Sequence, residues 1–331
     1  MRHRALLAAP SCALLAAGLA AWSGAWARST DRVDLAPKFK PGQVLRYSID
    51  YETETHGDTE SVIIDPLALR GARVKARGVL RVEVVEVQPE GSRRAIKFRT
   101  SFDHLDSTTD LFGPVPEETP QQAQKMSAEG KRIEFTLGAG GKIRDVDGLD
   151  ALNSEQQRAW QDWLEQFAAL TILPSENAKR GQKWQTEQTE GTPSILTGLV
   201  WVRNTGYVRD EPCRAVNLDI RGEAQPAQKS EICAVFLSRE TLVQKSSPKD
   251  ATPEAFRLRD LRTSGTAHGS SETITYVSLG TGIVVRSTTS GQQNLDVTVA
   301  KADRSNQVRH KVDVKSRSSI QLVADTPLVR P

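Results

Sequence analysis

The sequence is short of the residues that usually announce chemistry. It holds 3 cysteines, 5 histidines, 2 methionines and 5 % aromatic residues among 331. Charge of one sign is missing too, since 44 Lys and Arg face 41 Asp and Glu for a formal charge of +3. A nucleic-acid binder normally carries a basic excess, so that class finds no support. No apolar run reaches the ~20 residues of a membrane helix, which excludes a polytopic membrane protein. With 38 % hydrophobic and 26 % charged residues, the chain is not a disordered polymer either. Its length is enough to bury at least one core.

The start of the chain reads as an address. Arg2 and Arg4 precede an apolar stretch from Cys12 to Trp22, and Ala25-Trp26-Ala27 follows. A basic start, a short greasy segment and an A-x-A site make up a secretory signal peptide. Residues 1–27 are therefore expected to be removed, leaving a nearly neutral mature chain, without a transmembrane span, in the periplasm or outside a bacterial cell. Export leaves two cysteines, Cys213 and Cys233, in a compartment where disulfides persist. Two thiols with no histidine near them in sequence do not make a zinc site. A structural disulfide is expected, with two inert buried thiols as the alternative.

Most of the chain alternates apolar and polar residues, the spelling of strands with one wet face. Leu45, Tyr47, Ile49 and Tyr51 keep one phase; Ile96, Phe98 and Phe102 do so again, as do Ile133, Phe135 and Leu137, then Leu295, Val297 and Val299. The run from Gly78 to Val87 changes phase at Val84-Val85, which suits a β-bulge. Only 154–171 has a helical period: Trp160, Trp163, Leu164, Phe167 and Ala168 fall on one stripe. Asn153 or Ser154 can cap its start, and Pro174 lies past its end. That stripe serves either as core packing or as a wall for an apolar ligand. A shorter helix is expected after Thr119-Pro120, an N-cap followed by a first-turn proline.

Short matches recur in the same order in both halves. Lys40-Pro41-Gly42-Gln43 returns as Lys179-Arg180-Gly181-Gln182, Thr119-Pro120 as Thr252-Pro253, and Leu137-Gly138-Ala139-Gly140 as Leu279-Gly280-Thr281-Gly282. The chain therefore divides into a β-rich repeat over 28–174 that ends in the helix, and a second β-rich repeat over 175–331. The polar stretch Pro174-Ser175-Glu176-Asn177 marks the boundary.

Motifs of catalysis and ligation resolve into ordinary structure. The mature histidines, His56, His104, His268 and His310, sit in no G-x-S-x-G or H-E-x-x-H context. Gly138-Ala139-Gly140-Gly141-Lys142 lacks the Ser or Thr of a phosphate loop, having Ile143 there. The acidic run Asp145–Asp150 misses the calcium-loop spacing, because Leu149 and Gln156 occupy ligand positions. Glu52, Glu54, His56, Asp58 and Glu60 would line one edge of an extended strand at about 7 Å intervals, a stripe able to face a divalent cation or simply water. The late cluster Arg304, Arg309, His310, Lys311, Lys315 and Arg317 reads as the wet face of a hairpin.

With its paired Gly-Gln turns and Gly-rich hairpins, the layout resembles uncharacterised secreted bacterial families in which a start of the form K-x-G-x-x-[YW] recurs in the second half. The residues are Lys40, Gly42 and Tyr47, then Lys179, Gly181 and Trp184, the aromatic falling two residues later in the first copy. The resemblance implies curved antiparallel sheets and no particular activity. A looser architectural resemblance is to the periplasmic lipoprotein carriers, whose half-open barrels hold acyl chains.

The expected fold is mainly β, a β-dominated α+β arrangement of two related curved antiparallel sheets or half-barrels with one amphipathic helix. The expected function is that of an exported, non-catalytic binding or envelope-assembly protein. Its partner would be a lipid or other apolar ligand between sheet and helix, or an envelope protein. A structural module without ligand is the second reading and a hydrolase with a dispersed site the third. No cofactor and no metal is expected.

Overall fold

The computed structural model describes residues 32–61, 71–90, 93–112, 131–138, 143–151, 160, 164, 178–189, 195–219, 223–303 and 306–324. Outside them lie residues 1–27, expected to be a signal peptide, Thr119-Pro120, the tip of the first Gly-rich hairpin, Trp163, Phe167, the expected boundary at 174–177 and Arg304.

Where the sequence alternates, strands form. They are β1 (Arg32–Val33), β2 (Val44–Ser61), β3 (Gly71–Glu90), β4 (Arg93–Phe112), β5 (Arg132–Leu137) and β6 (Ile143–Asp147) in the first half. The second half holds β7 (Ala178–Lys179), β8 (Lys183–Thr189), β9 (Leu199–Cys213), β10 (Val216–Leu218), β11 (Ala224–Pro226), β12 (Glu231–Gln244), β13 (Leu261–Ser278), β14 (Val284–Lys301) and β15 (Val308–Leu322). A four-residue helix, α1 (Glu254–Arg257), follows Thr252-Pro253. As the phase change at Val84-Val85 predicts, the β3–β4 register shifts between Val84 and Glu86.

The fold is mainly β, with 11 strands in one antiparallel sheet of order β6-β5-β4-β3-β2-β15-β14-β13-β12-β9-β8 that does not close into a barrel. The two meanders do not form separate sheets as the repeat pattern suggests. The last strand, β15, pairs with β2 from Val308↔Ser61 to Leu322↔Tyr47 and joins them. Each of these strands would otherwise present a long open edge, so their pairing satisfies two rows of backbone groups at once.

The meanders begin on turns built alike. Gly42 and Gly181 sit at φ 79° and 82°, a left-handed conformation that glycine adopts without penalty. Gln43 N–H donates to Lys40 O at 3.0 Å, and its side-chain Oε1 accepts from Lys40 N–H at 3.1 Å. Gln182 repeats both bonds on Lys179, at 3.0 and 2.9 Å. Gly42 then donates to Val84 O at 2.8 Å and Gly181 to Tyr207 O at 2.7 Å, so Val84 on β3 and Tyr207 on β9 hold the same place relative to their turns.

The main core lies on one face of β2–β5. Phe98 and Phe135 are fully buried with ring centroids 5.5 Å apart, and Phe39 packs edge-on to Phe98 at 5.3 Å. Trp160 and Leu164, helical and four residues apart, join this core at 2 % and 4 % exposure. The Trp160 ring lies 5.1 Å from that of Phe102. Smaller clusters sit at the two ends of the second meander, around Phe236 and Tyr207 at one and Leu199 and Leu242 at the other.

Cys213, at the end of β9, and Cys233, in β12, form the expected disulfide across 5.8 Å between Cα atoms, 20 residues apart in sequence. It clasps the β10–β11 hairpin between neighbouring strands.

Two outcomes follow from this packing. Phe98→Ala should destabilise the protein by about 3–5 kcal/mol in urea unfolding, the cost of a large buried cavity, whereas Val208→Ala, at a position 44 % exposed, should stay within about 0.5 kcal/mol of the parent. Reducing Cys213–Cys233 frees a loop whose closure is worth about 3 kcal/mol in the chain-entropy model, and the urea midpoint should fall on adding dithiothreitol and return on reoxidation.

Candidate functional site: a hydroxyl-lined trough

Because strand pairs stay in register, residues on one face of the second meander fall into rows that run across the sheet. One row runs Trp184, Thr205, Ser238, Thr273, Thr289, Ser318 and Tyr51, from β8 to β2. The next runs Thr186, Arg203, Glu240, Ser271, Gly291, Ser316 and Thr53 along the same strands. All of them but Thr53 line a trough of about 250 Å³.

Its hydroxyls pair across strands. Thr205 and Ser238 share a hydrogen bond of 2.9 Å, Thr273 and Thr289 one of 3.0 Å, and Thr275 and Ser287, at the inner end, one of 3.2 Å. Each pair uses one proton; the second O–H and several lone pairs are left for other partners. In the second row Arg203 Nε donates to Glu240 Oε1, and Ser271 Oγ donates to Glu240 Oε2 at 2.9 Å. The two charged side chains are 23 % and 16 % exposed. They are the only charged groups lining the trough among the described residues, so it carries no net charge.

Two half-buried indoles flank these rows. Trp184, on the edge strand β8, meets Phe236 edge-on at 5.8 Å. Trp201 starts from β9 and crosses β12: a Cβ on Gly269 of β13 would come within 2.7 Å of its Cη2 atom. Gly269 therefore leaves the room in which that indole lies across the sheet.

Counting outward from the matched turns places these residues against their counterparts. The row Leu45, Val82, Thr100 and Ile133 of the first meander corresponds to Trp184, Thr205, Ser238 and Thr273. The paired Leu80 and Phe102 correspond to Arg203 and Glu240. In the first meander this face is apolar apart from Thr100, whose hydroxyl donates to Ile133 O, and Trp160 packs on it. In the second it is polar, and the described residues place no helix over it.

The acidic stripe proves to be a neutralised surface. β2 runs straight through Gly57, with no turn there. Arg73 on β3 donates to Glu54 at 2.6 Å and lies 3.7 Å from Glu52, Lys75 lies 3.5 Å from Glu52, and His56 meets Glu54 at 2.5 Å while stacking on Phe112. From the other side β15 places Lys315 opposite Glu54 and Arg317 opposite Glu52. Glu52, Glu54, Lys315 and Arg317, with Arg239 and Glu272, line a second, more open groove of about 650 Å³. Elsewhere in the basic cluster, Arg309 grips Asp296 by two bonds of 2.7 and 2.6 Å. Among the described residues no three His, Cys, Asp or Glu side chains converge as metal ligands, and no helix is long and apolar enough to cross a membrane.

Of the expected site residues, Cys213 and Cys233 meet as a disulfide, and Trp160 and Leu164 are core; Trp163 and Phe167 lie outside the described residues. The trough itself was not anticipated from the sequence. Its signal was present as Ser and Thr in the same strand phase as buried Tyr207 and Phe236, a pattern that reads equally as a plain wet face.

Hydrogen bonds from His56 and then Arg73 hold the Glu54 carboxyl at about 2, well below the usual carboxylate range; Lys97 and Arg99 hold Glu134 down in the same way. The unfolded chain then takes up these protons first, so the stabilisation is complete above about pH 4.5 and is lost as pH falls toward about 2. Urea midpoints measured from pH 6 to 2.5 should drop through this window, and the drop should be shallower in Glu54→Gln.

No protein-family model matches the chain, and no curated protein matches it.

Proposed function

We propose that this chain is an exported, non-catalytic binding protein of the cell envelope, built from two related β-units with different duties. The first unit is the packed frame. The second carries the ligand in the trough between Trp184, Trp201 and the hydroxyl rows. The observation behind this reading is the exchange of polarity at corresponding positions: Leu80, Phe102 and Ile133 belong to the core that Trp160 and Leu164 join in one unit, whereas Arg203, Glu240 and Thr273 face an open hollow in the other. A face built for packing alone has no use for a half-buried ion pair there, since well-packed apolar residues of similar volume do at least as well.

The reading also relocates the hollow. An apolar ligand between sheet and helix would need the Trp160 stripe as a wall, but Trp160 is 2 % exposed and is occupied in packing on Phe102. The lining offers serines and one carboxylate but no histidine to activate them, which favours binding over hydrolysis. The Cys213–Cys233 bridge fits an oxidising compartment, and with the leader it favours the periplasm or the exterior.

Native mass spectrometry of the protein purified from its own host tests the proposal. Wild type should carry an added mass that denaturation releases. Thr273→Trp, which fills the middle of the trough, should lose it while keeping its melting temperature. An adduct untouched by that substitution, or none in wild type, overturns the assignment.

A further inference from the structure

We infer that the trough takes a neutral oligosaccharide laid across the strands. This rests on the binding reading above and adds the chemical class of the ligand. The lining combines three features that apolar chains and anions do not want together. Trp184 and Trp201 present half-buried indoles at the flanks of the floor, and an aromatic face packs well on the C–H face of a pyranose ring while its N–H stays available to a hydroxyl. Between and beside them lie Thr205, Ser238, Thr273, Thr289, Ser316 and Ser318, groups that both donate and accept, as sugar hydroxyls do.

The third feature is the Arg203–Glu240 pair, a planar fork and a planar carboxylate side by side. Arg203 donates through Nε to Glu240 Oε1, and Glu240 accepts from Ser271 through its other oxygen, so the ion pair and a hydroxyl are joined in one polar group on the floor. The pair cancels in charge, so the trough gives no net attraction to a phosphate or a carboxylate. An acyl chain would desolvate the ion pair and the outer hydroxyls with nothing in return, an unfavourable exchange. A sugar replaces the lost water hydrogen bonds. Length agrees as well: strands lie about 4.8 Å apart, close to the length of one sugar residue, so a glycan crossing from β8 to β2 meets a new strand at almost every ring.

The test uses the full exported chain with three neutral probes, maltohexaose, cellohexaose and chitohexaose, and with palmitate as the apolar probe. Binding is read by tryptophan fluorescence and by the indole N–H resonances, assigned with Trp184→Phe and Trp201→Phe. At least one hexasaccharide should bind saturably and shift both of those resonances. Trp184→Ala and Trp201→Ala should each weaken it tenfold or more. Thr273→Val, which keeps the shape of the floor, should weaken it as well and serves if a tryptophan variant does not fold, judged by its thermal melt. No hexasaccharide binding, with palmitate or a host-derived acyl adduct shifting the same indoles, overturns the sugar class and leaves the binding reading standing. No binding of any probe and no host adduct overturns both. A hexasaccharide that binds the tryptophan variants as tightly as wild type overturns the site.

Discussion

The pairing of β15 with β2 is the interaction on which the sheet depends. It joins the last strand of the chain to the first long one and turns two meanders into a single array. Without it both strands would expose long rows of N–H and C=O groups, and the trough would lose its β2 wall, where Tyr51 closes the hydroxyl row. The contact is also the most distant in sequence, so its loop-closure cost falls late and folding of the whole sheet should wait on it.

Along much of this junction neither face is buried, and burial is what usually fixes register. One face carries Tyr51 and Thr53 opposite Ser318 and Ser316; the other carries Glu52 and Glu54 opposite Arg317 and Lys315. A slip of one residue would part these charges, in one direction putting the carboxylates opposite Ser318 and Ser316 and the bases opposite Thr53 and Thr55. Complementary charge across the strands does here what the hydrophobic face does in the first meander. The stripe that looks in sequence like an edge for a cation is thus one half of a register device, held from both sides by β3 and β15.

Period two made the strands legible, because an alternating face is a local property. The disulfide followed from the count of cysteines, and the two K-x-G-Q turns from their spelling, with Gly42 and Gly181 needed for a positive φ. What was not legible depended on partners far along the chain. Nothing near Val308–Leu322 names β2 as its neighbour, so one shared sheet could not be told from two. The trough was missed for a related reason. Thr205, Ser238 and Thr273 are separated widely in sequence and become a row only through the registers of β9, β12 and β13. Taken singly, each is an ordinary strand threonine or serine.

The two meanders differ in how they reach stability, and this bears on the site. The first draws on a continuous core in which Phe98, Phe135, Ile133 and Val84 are fully buried. The second keeps aromatic rings at Phe236 and Tyr207, where the first has Phe98 and Val84, but gives up apolar burial at Thr275 and Thr273, which correspond to Phe135 and Ile133, in favour of hydroxyl pairs, and at Arg203 and Glu240 in favour of an ion pair. Hydrogen bonds exchanged with water stabilise a fold less than buried carbon does. Its remaining apolar clusters stand at the two ends of the strands, leaving the centre to polar groups. The only disulfide among the described residues sits in this unit, beside the inner cluster at Tyr207 and Phe236. A cross-link is a way to hold a sheet whose middle is kept polar and open, and its position on β9 and β12 fixes the two strands that carry Arg203 and Glu240.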